Sequence, residues 1–161
     1  MTKESVKDYL ISWTITYLKS RDAVTRTMES VDRQKEGADI IVNYKDSSQL
    51  AIVVEPFLTG MSFIDRLKPF TEKKVKTRLV TANTRDNLKF ITANWKPISE
   101  FSREFNIIFV NPFSKLERKW MLYPQTHAGI AGKGFERGLK ALFATVEPIS
   151  EKEFEKLVKG D

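Results

Sequence analysis

Two apolar, β-rich runs joined by a short polar turn constrain the fold of this chain more than any other feature. The first run covers residues 38–44 (ADIIVNY) and the second covers residues 50–57 (LAIVVEPF). Between them lie Lys, Asp, two Ser and Gln, a composition typical of a tight turn. Together the three segments predict a β-hairpin whose strands are largely buried.

The rest of the chain supplies helices and strands in a simple order around this hairpin. Apolar residues at steps of three and four indicate helices, and short apolar runs indicate strands. The predicted elements are helix 5–19, strand 23–31, strands 38–44 and 50–57, helix 60–70, strand 78–82, helix 84–101 with a break near Pro97, strand 106–110, edge strand 119–123, and tail helices over 135–159 with a break near Pro148. An antiparallel meander followed by βαβ units predicts an α/β fold (α+β, mixed sheet) with helices on both faces.

Composition limits the chemistry that is available. The 161 residues are 41% apolar and 30% charged, as expected for a single globular domain. The sequence contains no cysteine, which excludes disulfides, thiolate zinc sites and a cysteine nucleophile. The single histidine, His127, excludes a metal site built from several histidines.

The sequence also bears on location and partners. No apolar segment follows residues 1–5 to form a signal peptide, and no apolar run approaches the roughly 20 residues that span a bilayer. We therefore expect a cytoplasmic protein without a membrane partner. The net charge of +6 is compatible with binding nucleic acid.

An acid pair in the hairpin is the sharpest chemical feature. Asp39 stands at the start of the first strand and Glu55 near the end of the second. If the turn centres on Ser47, opposed residues have numbers that add up to 94, so Asp39 faces Glu55. Opposed side chains have Cβ atoms about 4.5–5.5 Å apart, and two carboxylates that close repel unless they share a cation or a proton. A Mg²⁺ ion, which prefers oxygen ligands, would relieve this repulsion and polarise a bound phosphate.

The pattern around this pair is similar to that of the PD-(D/E)XK nuclease superfamily. A helix, a strand, residues 37–42 (GADIIV), a turn, residues 50–55 (LAIVVE), a helix and a strand follow one another. The superfamily includes type II restriction enzymes, Holliday-junction resolvases and many archaeal nucleases. The resemblance implies a restriction-endonuclease-like three-layer core over residues 5–112, with a C-terminal strand and helical appendage over 113–161. It also implies that Asp39 and Glu55 hold Mg²⁺ (or Mn²⁺), that the substrate is DNA, and that the protein is a homodimer.

The motif departs from the family's pattern at one position. The triplet reads Glu55-Pro56-Phe57, so an aromatic ring stands where the family has a lysine that activates water or steadies the developing charge. Some members of the superfamily take this lysine from the following helix. By that resemblance, Lys68 is the first candidate to replace it and Lys73 the second.

Weaker hypotheses attach to a few other residues. An acid from the first helix often joins the metal site of the family, and Glu4, Asp8 and the more distant Glu29 are candidates by this resemblance. The glycine-rich run 129–134 lacks the spacing of a phosphate-binding P-loop and is interpreted as a connector. His127 beside it is a candidate general base, but no partner for it can be named from the sequence.

Basic residues directly follow the acid pair along the sequence. Six of them lie within thirteen residues: Arg66, Lys68, Lys73, Lys74, Lys76 and Arg78. Cations in such a segment neutralise backbone phosphates and position a nucleic acid without reading its sequence. We predict that this segment binds DNA, and the alternative is an ordinary solvated helix end. Lys115, Arg118 and Lys119 form a second, weaker basic patch.

Three functions stay open at this point. The first is a Mg²⁺-dependent DNA endonuclease, in which Asp39 and Glu55 hold the metal and Lys68 replaces the motif lysine. The second is a catalytically inactive nuclease-fold module that binds nucleic acid or a protein partner, which Phe57 favours. The third is an unrelated α/β interaction domain in which the pairing of the two acids is accidental.

Overall fold

A computed structural model of the protein describes residues 5–34, 37–128 and 134–160. Six strands lie within these residues: β1 (Met28–Arg33), β2 (Ile40–Tyr44), β3 (Gln49–Val54), β4 (Lys76–Ala82), β5 (Phe105–Val110) and β6 (Lys119–Leu122). The helices are α1 (Val6–Thr25), α2 (Ser62–Glu72), α3 (Arg85–Ala93), α4 (Trp95–Ser99), α5 (Pro124–Ala128), α6 (Phe135–Ala144) and α7 (Glu151–Lys159). The predicted order of elements is confirmed, with α5 as an addition that is too short to show a helical period.

One mixed sheet contains the six strands in sequence order, from β1 to β6. Strands β1, β2 and β3 form an antiparallel meander, β4 and β5 lie parallel to β3, and β6 lies antiparallel to β5. The predicted mixed α/β architecture is therefore confirmed. Because β3, β4 and β5 are parallel neighbours, their carboxyl ends lie together and their amino ends lie together. We call the border of the sheet at the carboxyl ends the carboxyl edge, and the opposite border the amino edge.

Both faces of the sheet are covered by helices. One face packs against α2, α3, α4 and α6, which contribute buried residues such as Phe63, Leu67, Ile91 and Phe143. The other face packs against α1 and α7, and Phe154 of α7 is fully buried there. The segment predicted as a C-terminal appendage thus adds side chains to both layers of the core. None of the helices within the described ranges is long and apolar enough to cross a membrane.

The first helix is longer than the sequence predicted. Ser5 caps its start by accepting a hydrogen bond from the backbone N–H of Asp8, at 3.1 Å. It ends at Arg26, whose left-handed backbone (φ 51°) closes the last turn. Residues 23–25 were predicted as part of a strand, and this was wrong. The Asp22 carboxylate accepts the N–H of Met28 at 2.8 Å, which fixes the start of β1 five residues later than predicted.

The hairpin has a different register from the one predicted. Ile40 lies opposite Ile52, and Val42 lies opposite Leu50, so opposed residues add up to 92 and not to 94. The turn centres on Asp46 because its carboxylate accepts the N–H of Ser48 at 2.9 Å. A displacement of two residues leaves every side chain on its predicted face. Asp39 therefore points to the same side of the sheet as Glu55 but lies diagonal to it.

Candidate functional site

Asp39 is a buried carboxylate at the carboxyl edge of β3, with a relative exposure of 4%. One of its oxygens, Oδ2, accepts the backbone N–H of Val54 at 2.7 Å. The other, Oδ1, lies 3.1 Å from Nη2 of Arg66 and 3.3 Å from Nζ of Lys7. A buried carboxylate is tolerated only when its charge is compensated and its oxygens are hydrogen-bonded. Here both conditions are met by the protein itself.

Glu55 follows β3 directly and is the second member of the acid pair. Its side chain is 19% exposed, and Oε1 lies 3.9 Å from Nη1 of Arg66. Ser62, the first residue of α2, donates its hydroxyl to the same oxygen at 3.3 Å. The predicted proximity of Asp39 and Glu55 is thus mediated by one guanidinium group that contacts both carboxylates.

Arg66 is held in this position by a third contact. Its Nε and Nη2 donate to the backbone carbonyl of Gly37 at 3.3 Å and 3.1 Å. A guanidinium group offers only hydrogen-bond donors and no acceptor. Arg66 therefore acts as a fixed cation between Asp39 and Glu55, and it cannot take a proton from a water molecule.

The donor set at this edge does not fit a divalent metal. The two carboxylates that the resemblance assigns to Mg²⁺ already contact the cations Arg66 and Lys7. Within the described ranges, no three acidic or imidazole side chains come together as metal ligands. A Mg²⁺ ion at Asp39 would lie against two positive charges, which oppose its binding.

The predicted basic cluster is divided between two places. Arg66 lies at the acid pair, whereas Lys76 and Arg78 lie on β4, near the amino edge of the parallel strands. The reason is the crossover from β3 to β4, because α2 carries the chain from one edge of the sheet to the other. Lys68 is exposed on α2 and has no ion pair with the acid pair among the described residues.

The remaining lysines of the cluster lie on the outside of this crossover. Lys73 is the C-cap of α2, and Lys74 follows it with a left-handed backbone (φ 61°). Both are exposed, as is Lys76. The sequence prediction named these residues, and the crossover places the three of them together on the surface at the end of α2.

Phe57, at the motif position of the family's lysine, lies in an aromatic cluster. Its ring meets Phe154 of α7 edge-on, with centroids 6.2 Å apart. Phe154 also contacts Tyr9 of α1 at 6.3 Å and Phe113 at 5.7 Å. The side chain at this position thus contributes to packing between α1, α7 and the sheet.

Two of the weaker candidates, Asp8 and Glu29, do not join the acid pair. Asp8 is exposed and accepts the Ser5 hydroxyl at 2.9 Å, and Glu29 is exposed on β1. Glu4, the side chain of His127 and residues 129–133 of the glycine-rich run lie outside the described residues. Lys7 was not predicted as a site residue, and nothing in its local sequence separates it from other exposed lysines.

Comparison of the chain with protein-family models, with curated proteins and with solved structures found no match. Function is therefore inferred from the chemistry of the residues.

Proposed function

We propose that this chain is a nuclease-like module that binds the phosphates of nucleic acid and does not cleave them at the acid pair. The observation that carries the proposal is the contact of Arg66 with both Asp39 and Glu55. The succession of a helix, an antiparallel meander, a helix and a parallel strand supports the restriction-endonuclease-like core that the PD-(D/E)XK resemblance implies.

The loss of catalysis follows from the charges at the acid pair. In the nucleases that the chain resembles, the two acids hold Mg²⁺ and a lysine assists the attack on phosphorus. Here Arg66 and Lys7 satisfy Asp39, and Phe57 is packed against Phe154. Because neither a free carboxylate pair nor a motif lysine is present in this arrangement, the acid pair stabilises the fold and does not assemble a hydrolytic site.

Binding of nucleic acid is supported by the exposed lysines of the crossover. Lys68, Lys73, Lys74 and Lys76 are exposed, and none of them belongs to an ion pair formed by the described residues. When lysines that are not neutralised by carboxylates contact the phosphates of a nucleic acid, they displace the counterions condensed on it. This displacement gives affinity without sequence preference. DNA is the expected partner, and the homodimer implied by the resemblance stays a prediction.

Fluorescence anisotropy with a labelled DNA duplex and a labelled four-way junction tests the binding. We expect wild-type affinity to fall steeply between about 50 and 200 mM salt. The double variant Lys73→Gln/Lys74→Gln should bind about tenfold more weakly than the wild type, because two phosphate contacts are lost. The matched control is Lys152→Gln/Lys156→Gln on the exposed side of α7, which removes the same charge and should change affinity much less. Equal losses in both variants, or no binding by the wild type, would contradict the proposal.

A cleavage assay tests the absence of catalysis separately. We expect no cleavage of either DNA by the wild type with Mg²⁺ or Mn²⁺, and no heat of metal binding in a calorimetric titration. Asp39→Asn serves as the control for contaminating nucleases. Mn²⁺-dependent cleavage that the wild type shows and Asp39→Asn lacks would establish the Mg²⁺-dependent endonuclease instead.

A further inference from the structure

Arg78 interrupts an apolar layer of the sheet. It lies on β4 between Ile52 of β3 and Asn106 of β5, on the face that α1 covers. The next residue of β4 on this face, Val80, is fully buried. Arg78 is only partly exposed, and a charged side chain that is partly removed from water is stabilised by hydrogen bonds or by a counter-charge.

The partner of Arg78 is neutral. Its Nε donates to Oδ1 of Asn106 at 2.8 Å, and none of the ion pairs between described residues includes it. A guanidinium carries five N–H donors in a planar fork, so one hydrogen bond leaves most of the fork available. Arg78 therefore differs from Arg66, whose charge is balanced by two carboxylates.

A cavity of about 800 Å³ opens above Arg78 at the amino edge of β3, β4 and β5. Six cations line it: Arg21, Arg26, Lys45, Lys76, Arg78 and Arg103. The carboxylates that line it are those of Asp22, Asp46 and Glu104, so six positive charges less three negative ones leave an excess of three. A volume of this size accommodates a ligand as large as a nucleotide.

Two of the three carboxylates are bound to the backbone. Asp22 accepts the N–H groups of Thr27 and Met28, both at 2.8 Å. Asp46 accepts the N–H of Ser48 at 2.9 Å. These contacts hold both acids in their turns, so neither of them pairs with Arg78.

Three tyrosine side chains also lie near Arg78. Burial lowers the pKa of the Arg78 guanidinium, and the nearby Tyr44, Tyr17 and Tyr123 side chains oppose this effect. Burial raises the pKa of Tyr44, so its phenol keeps its proton at neutral pH. A guanidinium fork beside a phenolic O–H is complementary to an oxyanion.

We propose that this cavity is a phosphate-binding site, in which the Arg78 guanidinium anchors the phosphate group and Arg21 and Lys76 contact it from the rim. A phosphate fits better than a carboxylate because its greater charge matches the excess of three positive charges. The bound group is inorganic phosphate, the phosphate of a nucleotide, or the terminal phosphate of a nucleic acid strand. The site lies at the edge of the sheet opposite the acid pair. It shares Lys76 with the lysines of the crossover, but its anchor, Arg78, is not one of them.

Isothermal titration with inorganic phosphate and with adenosine monophosphate tests this site. We expect both to bind the wild type, and adenosine, which lacks the phosphate, to bind at least tenfold more weakly than its monophosphate. Arg78→Gln should weaken phosphate binding about tenfold or more, since charge-assisted hydrogen bonds are lost. Arg137→Gln on α6 is the matched control, because Arg137 is exposed and does not line the cavity. No binding of either phosphate compound, or unchanged binding in Arg78→Gln, would overturn the proposal.

Two further variants keep the test decisive if Arg78→Gln does not fold. Arg78→Lys retains the charge but loses the planar fork, so we expect a smaller loss of affinity. Arg21 lies on the exposed side of α1 and lines the cavity, so Arg21→Gln should weaken binding a few-fold without unfolding the protein. If both variants bind phosphate as the wild type does, the assignment is wrong.

The source of the phosphate is distinguished by comparing ligands. Tighter binding of the monophosphate than of inorganic phosphate indicates a nucleotide, and equal binding indicates free phosphate. Tighter binding of a 5′-phosphorylated oligonucleotide than of its unphosphorylated form indicates a strand end. Lys73→Gln/Lys74→Gln should leave the binding of inorganic phosphate unchanged, which separates this site from the two crossover lysines that do not line the cavity.

Discussion

The two edges of the parallel strands treat charged side chains in opposite ways. At the carboxyl edge, Asp39 is compensated by Arg66 and Lys7 and hydrogen-bonded to the backbone. At the amino edge, Arg78 is hydrogen-bonded to the neutral amide of Asn106 and faces a cavity with excess positive charge. A charge that the fold compensates holds elements together, whereas a charge that it leaves uncompensated retains the capacity to bind a ligand.

This difference changes the interpretation of the sequence. An acid pair in a hairpin is the feature that points to catalysis, yet the structure places the fixed guanidinium of Arg66 against both acids. The arginine of β4 looks like one more member of a basic run, yet it lies between Ile52 and Asn106 at the floor of a cavity, on the opposite edge from Arg66. Residue type and spacing identify charged residues, but the neighbours supplied by the fold determine what those residues can bind.

Replacement of Arg66 gives the largest expected effect on stability. In Arg66→Met, Asp39 keeps only Lys7 as a counter-charge, and its buried carboxylate loses a charge-assisted hydrogen bond. We expect the free energy of unfolding to fall by about 2–3 kcal/mol, below the full cost of breaking a buried pair because Arg66 is partly exposed. Urea denaturation at neutral pH measures this change.

Two controls sharpen this prediction. Arg137→Met on the exposed surface of α6 should change the free energy of unfolding by no more than about 0.5 kcal/mol. In the double variant Arg66→Met/Asp39→Asn, the free energy of unfolding should fall by less than the sum of its falls in the two single variants, since both charges are removed together. Additive losses would show that Arg66 stabilises the fold through contacts other than Asp39.

Replacement of Arg78 should have a smaller effect. Arg78→Met removes a guanidinium that no carboxylate compensates, and a methionine fills the apolar layer at similar volume. In phosphate-free buffer, we expect the free energy of unfolding to rise, or to fall by no more than about 1 kcal/mol. Thermal unfolding followed by circular dichroism measures it. A loss as large as that of Arg66→Met would mean that Arg78 is compensated after all, and the contrast between the two edges would not hold.

The smallest effect concerns Asp22, which lines the cavity without compensating Arg78. Hydrogen bonds, first that from the Met28 N–H, lower the pKa of Asp22 below its ordinary value of 3.8. Its contribution to stability is therefore present above pH 3.8 and is lost as the pH falls through the lower pKa of the folded state. We expect Asp22→Asn to be less stable than the wild type at neutral pH, and the difference to shrink in acid. Urea midpoints measured across this pH range test it, and a constant difference would contradict it.

Much of the fold follows from local patterns in the sequence. Helical and strand periods gave the order of elements, including the break between α6 and α7 near Pro148. The hairpin register did not follow, because the contacts of Asp46 and Ser48 decide where the turn lies. Local composition could not distinguish a centre at Ser47 from one at Asp46.

The candidate site was less predictable than the fold. The sequence identifies Asp39 and Glu55 and the same-face placement that brings them together. It does not show that Arg66, and not Lys68, reaches them. Side chains two residues apart on an α-helix point in directions that differ by about 200°, so only one of the two can face the acid pair. It also does not show that Arg78 lies at the opposite edge, because that depends on how far the crossover carries the chain.

The aromatic cluster around Phe154 has a consequence for synthesis in the cell. Phe154 of α7 is fully buried and contacts Tyr9 of α1, so rings from the two ends of the described chain share one contact. On the ribosome, α1 emerges long before its partner α7. Contacts between residues so distant in sequence slow folding and leave apolar surface exposed on the nascent chain until translation has passed them. Helix α1 is made before α7 and cannot complete this contact until α7 has emerged, and chaperones have that interval in which to bind α1.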